Sequence, residues 1–267
     1  MELNKIYNQD CLDGMQMIGD KSIDCIICDL PYGTTACKWD SIIPIERLWE
    51  QYERIITDVG AIVLFGQEPF SSFLRMSNTK LYRYDWIWEK QRPSNFQLMN
   101  YQCGRVHETI SVFSKSNACY SNGKPTMTYY PQTTQREKTR VSTKNTVYGN
   151  NILHNYNKSA TECDEKKSYD VKQPTSIIKF NTVEKGKLHP TQKPVELVQY
   201  LVRTYTKEGD IILDNCMGSG TTAIACIREK RNFIGFETNA EYYEKSLDRI
   251  NEEITKEETD NKQKQLF

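Results

Sequence analysis

The residues best equipped for chemistry fall in two short stretches, each at the end of an apolar run that reads as a strand. In one, Asp214 closes the strand and Asn215, Cys216, Met217, Gly218, Ser219, Gly220, Thr221 and Thr222 lead directly into a helical run. Glycines there let the backbone approach a ligand closely, and a helix start offers unpaired amides. The stretch lacks the third glycine of a dinucleotide loop, and no Lys follows its second glycine as in a P-loop. With Glu237 one strand later, it suits a nucleoside whose ribose hydroxyls need an acceptor. An ordinary glycine turn beside a surface acid is the alternative. In the other stretch, Asp29, Leu30, Pro31, Tyr32 and Gly33 follow a strand. An aspartate can accept a hydrogen bond from an amine, a tyrosine ring can stack on a planar base, and the proline stiffens the turn presenting both. Such a grip by edge and face is what an enzyme acting on an extruded base requires.

Both stretches need a rigid frame, and the hydrophobic pattern supplies one. Residues 23–28 read as a strand, 45–57 as a helix, and 61–65, almost wholly apolar between Gly60 and Gly66, as a strand covered on both faces. A helix over 69–77, opened by Pro69, and strands over 83–88 and 109–113 follow. Trp86 and Trp88 share one face of their strand, which favours core packing over base stacking. The rhythm stops over 116–187, rich in Asn, Thr, Tyr and Lys, and resumes with a helix over 195–204, a strand over 210–213, a helix over 221–228, a strand over 232–236 and a closing helix over 240–255. Strands alternating with helices on both sides of a polar segment predict one mostly parallel sheet with helices on both faces.

Composition narrows the function classes. With 267 residues, 38% of them apolar, the chain can bury one sizeable core and carry a smaller module. Its 35 basic and 35 acidic residues cancel, so only local charge can argue for a nucleic-acid partner. Residues 116–187 hold twelve Lys or Arg against six Asp or Glu, whereas 228–260 hold six against ten, which makes the middle segment the better phosphate-facing surface; a solvated face is the plain alternative. Its tyrosines, at 120, 129, 130, 148, 156 and 169, suit either base stacking or a small core of their own. Nine scattered cysteines read as reduced thiols; Cys25 and Cys28 lack a second pair, the chain has three histidines, and no metal is expected. The absence of an eighteen-residue apolar run and of a hydrophobic leader predicts a cytoplasmic protein away from membranes.

On these residues the chain resembles the amino DNA methyltransferases, in particular the permuted (beta-class) group in which the target-base half precedes the cofactor half. Asp29 to Tyr32 is similar to that family's Asp-Pro-Pro-Tyr motif, with Leu30 at the first proline. Asp214 to Thr222 is similar to its cofactor loop, with Asn215 and Cys216 where Pro-Phe is usual, which removes an aromatic wall. His189, Pro190, Thr191, Gln192, Lys193 and Pro194 resemble the motif before the first cofactor-side helix. The resemblance covers residues 1–115 and 187–255 but not the middle. It implies a circularly permuted, Rossmann-like α/β methyltransferase fold, a mostly parallel sheet with a reversed final target-side strand and a polar target-recognition insertion. The implied layout is a target-base half over 1–115, a recognition region over 116–187, a cofactor half over 188–255 and a polar, fraying tail over 256–267.

The implied reaction is methyl transfer from S-adenosyl-L-methionine to the N6 amine of a flipped adenine in double-stranded DNA, leaving S-adenosyl-L-homocysteine. By the resemblance, Asp29 and the carbonyl of Leu30 hold the amine on the turn stiffened by Pro31, and Tyr32 stacks on the base. Asp10 meets the cofactor's adenine, Glu237 its ribose, and Thr191 and Lys193 its methionine carboxylate. Asp214 supports the loop or meets the amino group, while Asn215, Gly218, Ser219, Gly220 and Thr221 line the methionine part. Lys38 and Trp39 are placed against DNA, Phe113 as a wall, His107 as structural, and Arg136, Lys138 and Arg140 in target recognition. A homodimer is the expected assembly. The competing readings are a cytosine-N4 enzyme, in which Ser more often stands where Asp29 does, and a non-catalytic DNA-binding subunit.

Overall fold

The computed structural model describes residues 1–33, 41–119, 123–142, 167–184, 186–189 and 191–264. Lys38, Trp39, Pro190 and the tyrosines at 120, 148 and 156 lie outside these, as do the side chains of Arg140 and Tyr169. The chain forms two compact units, Met1–Tyr130 with Thr175–Phe267, and Pro131–Pro174.

The larger unit is built on eight strands: β1 (Lys5–Tyr7), β2 (Ile23–Cys28), β3 (Ile56–Gly66), β4 (Tyr82–Glu89), β5 (His107–Phe113), β8 (Ile177–Lys179), β9 (Ile211–Asp214) and β10 (Asn232–Phe236). Their order is β1-β10-β9-β2-β3-β5-β4-β8. Within this sheet only β5 runs against its neighbours β3 and β4, so the sheet is mostly parallel with one reversed strand. The smaller unit pairs β6 (Thr134–Ser142) and β7 (Lys167–Lys172) antiparallel.

Alternation along buried strands decides which residues meet which helices. In β2, Cys25 and Ile27 face a core shared with α4 (Val195–Tyr205), α5 (Thr221–Arg228) and α6 (Ala240–Lys264), including Leu197, Leu201, Ile224 and Ile250. Ile23, Ile26 and Cys28 face the opposite core, with α1 (Cys11–Gln16), α2 (Ile45–Ile55) and α3 (Phe70–Ser77) supplying Met15, Leu48, Tyr52 and Leu74. Each fully buried aliphatic side chain stabilises the fold by about 1.5–3 kcal/mol. From the central pair β9 and β2 the chain winds outward in opposite directions, which opens a crevice beyond the carboxyl ends of those two strands. Asp29 follows one and Asp214 ends the other.

The sequence differs from the structure at the margins. β3 begins at Ile56, directly after α2, where a helix to 57 was expected. The polar segment contributes β8 to the main sheet, where Ile178 is buried, and the compact smaller unit is shorter than the expected 116–187. The closing helix runs to Lys264 instead of fraying after 255, because Glu and Lys have high helix propensity even where no apolar face is needed. Phe113, expected as a site wall, is fully buried against Trp49 and Tyr82. Trp86 and Trp88 are buried as expected, donating to Tyr205 Oη and the Phe180 carbonyl. Cys25 and Cys28 are buried strand thiols, and among the described residues no cluster of three His, Cys, Asp or Glu is placed to hold a metal.

Candidate active site

The crevice is one cavity lined by Asp10, Asp29, Leu30, Pro31, Tyr32, Thr191, Lys193, Asp214, Asn215, Gly218, Ser219, Thr221 and Glu237. Residues named from sequence thus meet from β2, β9, β10, the α1 start and the α4 entrance. Gly220 does not line it. Its φ of +79° and a would-be Cβ 3.2 Å from Ser246 make it the glycine that lets α5 start tightly against α6.

Asp29 is the best-connected group. Its Oδ1 accepts from the Tyr32 hydroxyl at 2.6 Å and its Oδ2 from Lys193 Nζ at 2.6 Å. Lys193, expected to take a methionine carboxylate or else to be exposed, is buried: its ammonium lies between Asp29 and Glu108 Oε2, the latter at 3.3 Å, and over the Phe65 ring. Glu108 is itself buried, with Oε1 accepting from Lys90 and, at 3.1 Å, from Gln67. The four charges alternate in sign, which is what permits them in a low-dielectric interior. Burial pushes Asp29 above the usual carboxylate range, with Lys193 pulling back. For Glu108 burial is outweighed by Lys193 and Lys90, holding it at about 2.

Around the glycine turn every acid is braced by the backbone. Asp214 accepts from Cys216 N and from the Thr222 hydroxyl, so both oxygens support the loop, and burial raises it to about 6. Glu237 accepts from Gly218 N and Asn239 N, each at 2.8 Å, which fixes a carboxylate with lone pairs to spare. Asp10 caps α1 through Oδ1, accepting from Leu12 N and Asp13 N. Asn215 is held by Tyr52 and the sulfurs of Cys11 and Cys216, so its polar atoms serve the wall. Burial keeps the Cys28 thiol high, at about 12. Where Cys216 leaves out an aromatic, Tyr242 and His189 supply one, ring centroids 4.3 Å apart. His189 Nδ1 faces Thr191 N and Oγ1, and burial first, then Lys193, lowers its pKa to about 4, leaving it neutral.

Sequence reasoning missed Glu108, Phe70, Gln9, Tyr242 and Arg249. Phe70 stacks on Tyr32 at 5.1 Å. Arg249 donates to the Ser219 carbonyl at 2.9 Å and to Thr221 Oγ1 at 3.1 Å, locking the loop. Gln9 lines the cavity, and its buried Nε2 finds no hydrogen-bond partner among the described residues. A free donor, the Glu237 acceptor and the α5 amides together fit an adenosyl group carrying a carboxylate.

Comparisons with known proteins bear on the family and the fold. The model of a DNA methylase family, of N6/N4 type, matches residues 23–248. The type II methyltransferase M1.MboII of Moraxella bovis is 27% identical over 254 residues, covering 91% of this chain and 94% of its own. The crystal structure of an M1.HpyAVI–SAM complex is similar with a TM-score of 0.58 at 22% identity, over 92% of this chain and 98% of that one. PvuII DNA methyltransferase, cytosine-N4-specific, gives 0.61 at 14% identity, over 91% and 84%.

Proposed function

This chain belongs to the N6/N4 DNA methylase family, and on that premise we propose that it methylates the N6 amine of adenine in double-stranded DNA, using S-adenosylmethionine. When bound, the cofactor supplies an electrophilic methyl on its sulfonium. Glu237 would accept from the ribose, Gln9 and Asp10 would meet the adenine edge, and the α5 amides with Thr191 would receive the carboxylate. Asp29 accepts an N–H of the target amine, so the nitrogen lone pair is aimed at the methyl while positive charge developing on nitrogen is met by a carboxylate. The proton leaves after transfer, and no strong base is required. Tyr32 turns from Asp29 to stack on the base, giving up one hydrogen bond as the amine supplies another.

The observation that carries this reading is the Asp29 carboxylate, fixed by Lys193 in the same cavity as the Glu237 carboxylate and the glycine turn. Aspartate rather than Ser at position 29 supports adenine over cytosine. The type II name of the Moraxella relative supports a role beside a restriction activity; a cytoplasmic location and self-association are proposed on the sequence resemblance. Among the described residues no helix is long and apolar enough to cross a membrane.

The test is transfer of labelled methyl from S-adenosylmethionine to unmethylated duplex DNA, read by nucleoside mass spectrometry, with Asp29→Ala beside the parent. N6-methyladenine from the parent alone is expected. Methylcytosine would overturn the choice of base, and an undiminished Asp29→Ala would overturn the role of the carboxylate.

A further inference from the structure

Between β4 and β5 the chain makes an arm over residues 91–106 that no part of the site uses. Among the described residues its tip carries the most exposed aromatics of the larger unit: Phe96 is 68% and Tyr101 88% exposed, flanked by exposed Leu98 and Met99. An apolar cluster of this kind on a protein surface marks an interaction site.

The arm is ordered from within. Lys90 N donates to the Val106 carbonyl and Ser94 N to the Arg105 carbonyl, at 2.7 and 2.9 Å. Asn95 clasps the two sides, accepting from Arg105 N at 2.6 Å and donating to the Cys103 carbonyl. A short 3₁₀ turn, Phe96–Leu98, then presents the rings. Gly104 lies so close to Pro93 that a Cβ would come within 3.0 Å. Presenting aromatics on a braced turn lowers the entropy lost on contact.

Its occupant is indicated by charge and position. From Gln91 to Val106 there is no Asp or Glu, while Arg92 and Arg105 are basic and Gln91, Asn95, Gln97, Asn100 and Gln102 carry amides. Such a surface suits a polyanion and the polar edges of bases. The root of the arm is wired to the reaction centre: Arg105 donates to Gln67, Gln67 to Glu108, and Lys193 bridges Glu108 to Asp29. The arm therefore rises beside the place where a base would be held.

Resting on the methyltransferase reading, we propose that residues 91–106 insert into duplex DNA, with the Phe96 and Tyr101 rings stacking in the space that the extruded base vacates. Unstacking a base opens a gap lined by two π-faces, and an aromatic ring that fills it holds the base out.

The experiment compares the parent with Phe96→Ala/Tyr101→Ala and with the aromatic exchange Phe96→Tyr/Tyr101→Phe. It measures kcat/KM for labelled methyl transfer to unmethylated duplex DNA, together with cofactor affinity, thermal melting and sedimentation. Loss of base–aromatic stacking predicts about a tenfold or greater fall for the double alanine variant, with the aromatic exchange within about twofold of the parent. Cofactor affinity, melting and sedimentation should not change. A double alanine variant as active as the parent overturns the proposal. A loss accompanied by conversion of dimer to monomer also overturns it, assigning the arm to a second copy of the chain. A parent inert on DNA would instead bring down the methyltransferase reading, and the arm proposal with it.

Discussion

Replacing Lys193 by Met keeps most of its volume while removing the charge between two buried carboxylates. Nζ lies 2.6 Å from Asp29 and 3.3 Å from Glu108, so the carboxylate oxygens it bridges are at most about 6 Å apart. At an effective dielectric of about 20, two negative charges at that separation repel by about 3 kcal/mol. Breaking a buried pair by removing one partner costs about 3–5 kcal/mol, and that is the expected loss of unfolding free energy near neutral pH. The pH dependence distinguishes charge from packing. In the parent, Glu108 is held at about 2, so its ionised form stabilises the fold above the ordinary Glu range and is lost only as pH falls through about 2. Asp29 is raised by burial, so folding weakens as pH rises through its titration. Without Lys193 both carboxyls rise, the folded variant takes up protons in mild acid, and the deficit shrinks. Activity moves the other way, since Asp29 must be ionised to accept the amine: methyl transfer by the variant recovers as pH rises. Urea unfolding at about pH 8 and about pH 5, beside transfer rates over the same range, measures both. An equal stability deficit at the two pH values, with no alkaline recovery of rate, would refute the charge argument.

Three further outcomes are expected. Tyr32→Phe keeps the ring and removes a hydroxyl contact to Asp29 that base entry would break in any case, so kcat/KM should stay within about fivefold of the parent, whereas Tyr32→Ala should lose at least about tenfold; a Phe variant as poor as Ala would argue against stacking. Glu237→Ala removes the ribose acceptor and should weaken cofactor affinity about 10- to 100-fold by calorimetry, leaving DNA affinity unchanged, because a hydrogen bond to a charged group is worth about 1.5–3 kcal/mol. Gly220→Ala forces a side chain into a left-handed backbone facing Ser246 and should lower unfolding free energy by about 1–2 kcal/mol in urea melts; an unchanged melt would show that the turn yields.

How much could be read beforehand depended on whether a feature had a local cause. β2, β9 and β10 were visible because strands buried on both faces must be apolar along their length, and Asp29 and Asp214 were visible because acids interrupt those runs at their ends. β8 has three residues in a polar segment, too few to show a period. Burial of Lys193 had no local signal, since its partners come from β2 and β5. Glu108 did leave one: an acid inside a strand run that ends in Ile, Val and Phe must be paired if the strand is central. Asn215 reads as a cavity donor in the chain, but the Tyr52 hydroxyl, brought over by α2, takes it for the wall.

On the proposed reading, the Asp29 site shows how a reactive carboxylate can be kept in a largely buried crevice without being misdirected. One oxygen is held by a charged partner that is itself buried and balanced by Glu108 and Lys90, so that contact has no cheap alternative and fixes the plane of the carboxylate. The other oxygen is held by a neutral hydroxyl on a ring that already stacks on Phe70. Exchange of that hydroxyl for an amine N–H is nearly neutral in hydrogen-bond energy, and the ring it frees gains a new stacking partner in the incoming base. The strong contact positions and the weak one yields; were the two reversed, base entry would have to break an ion pair before any chemistry could begin.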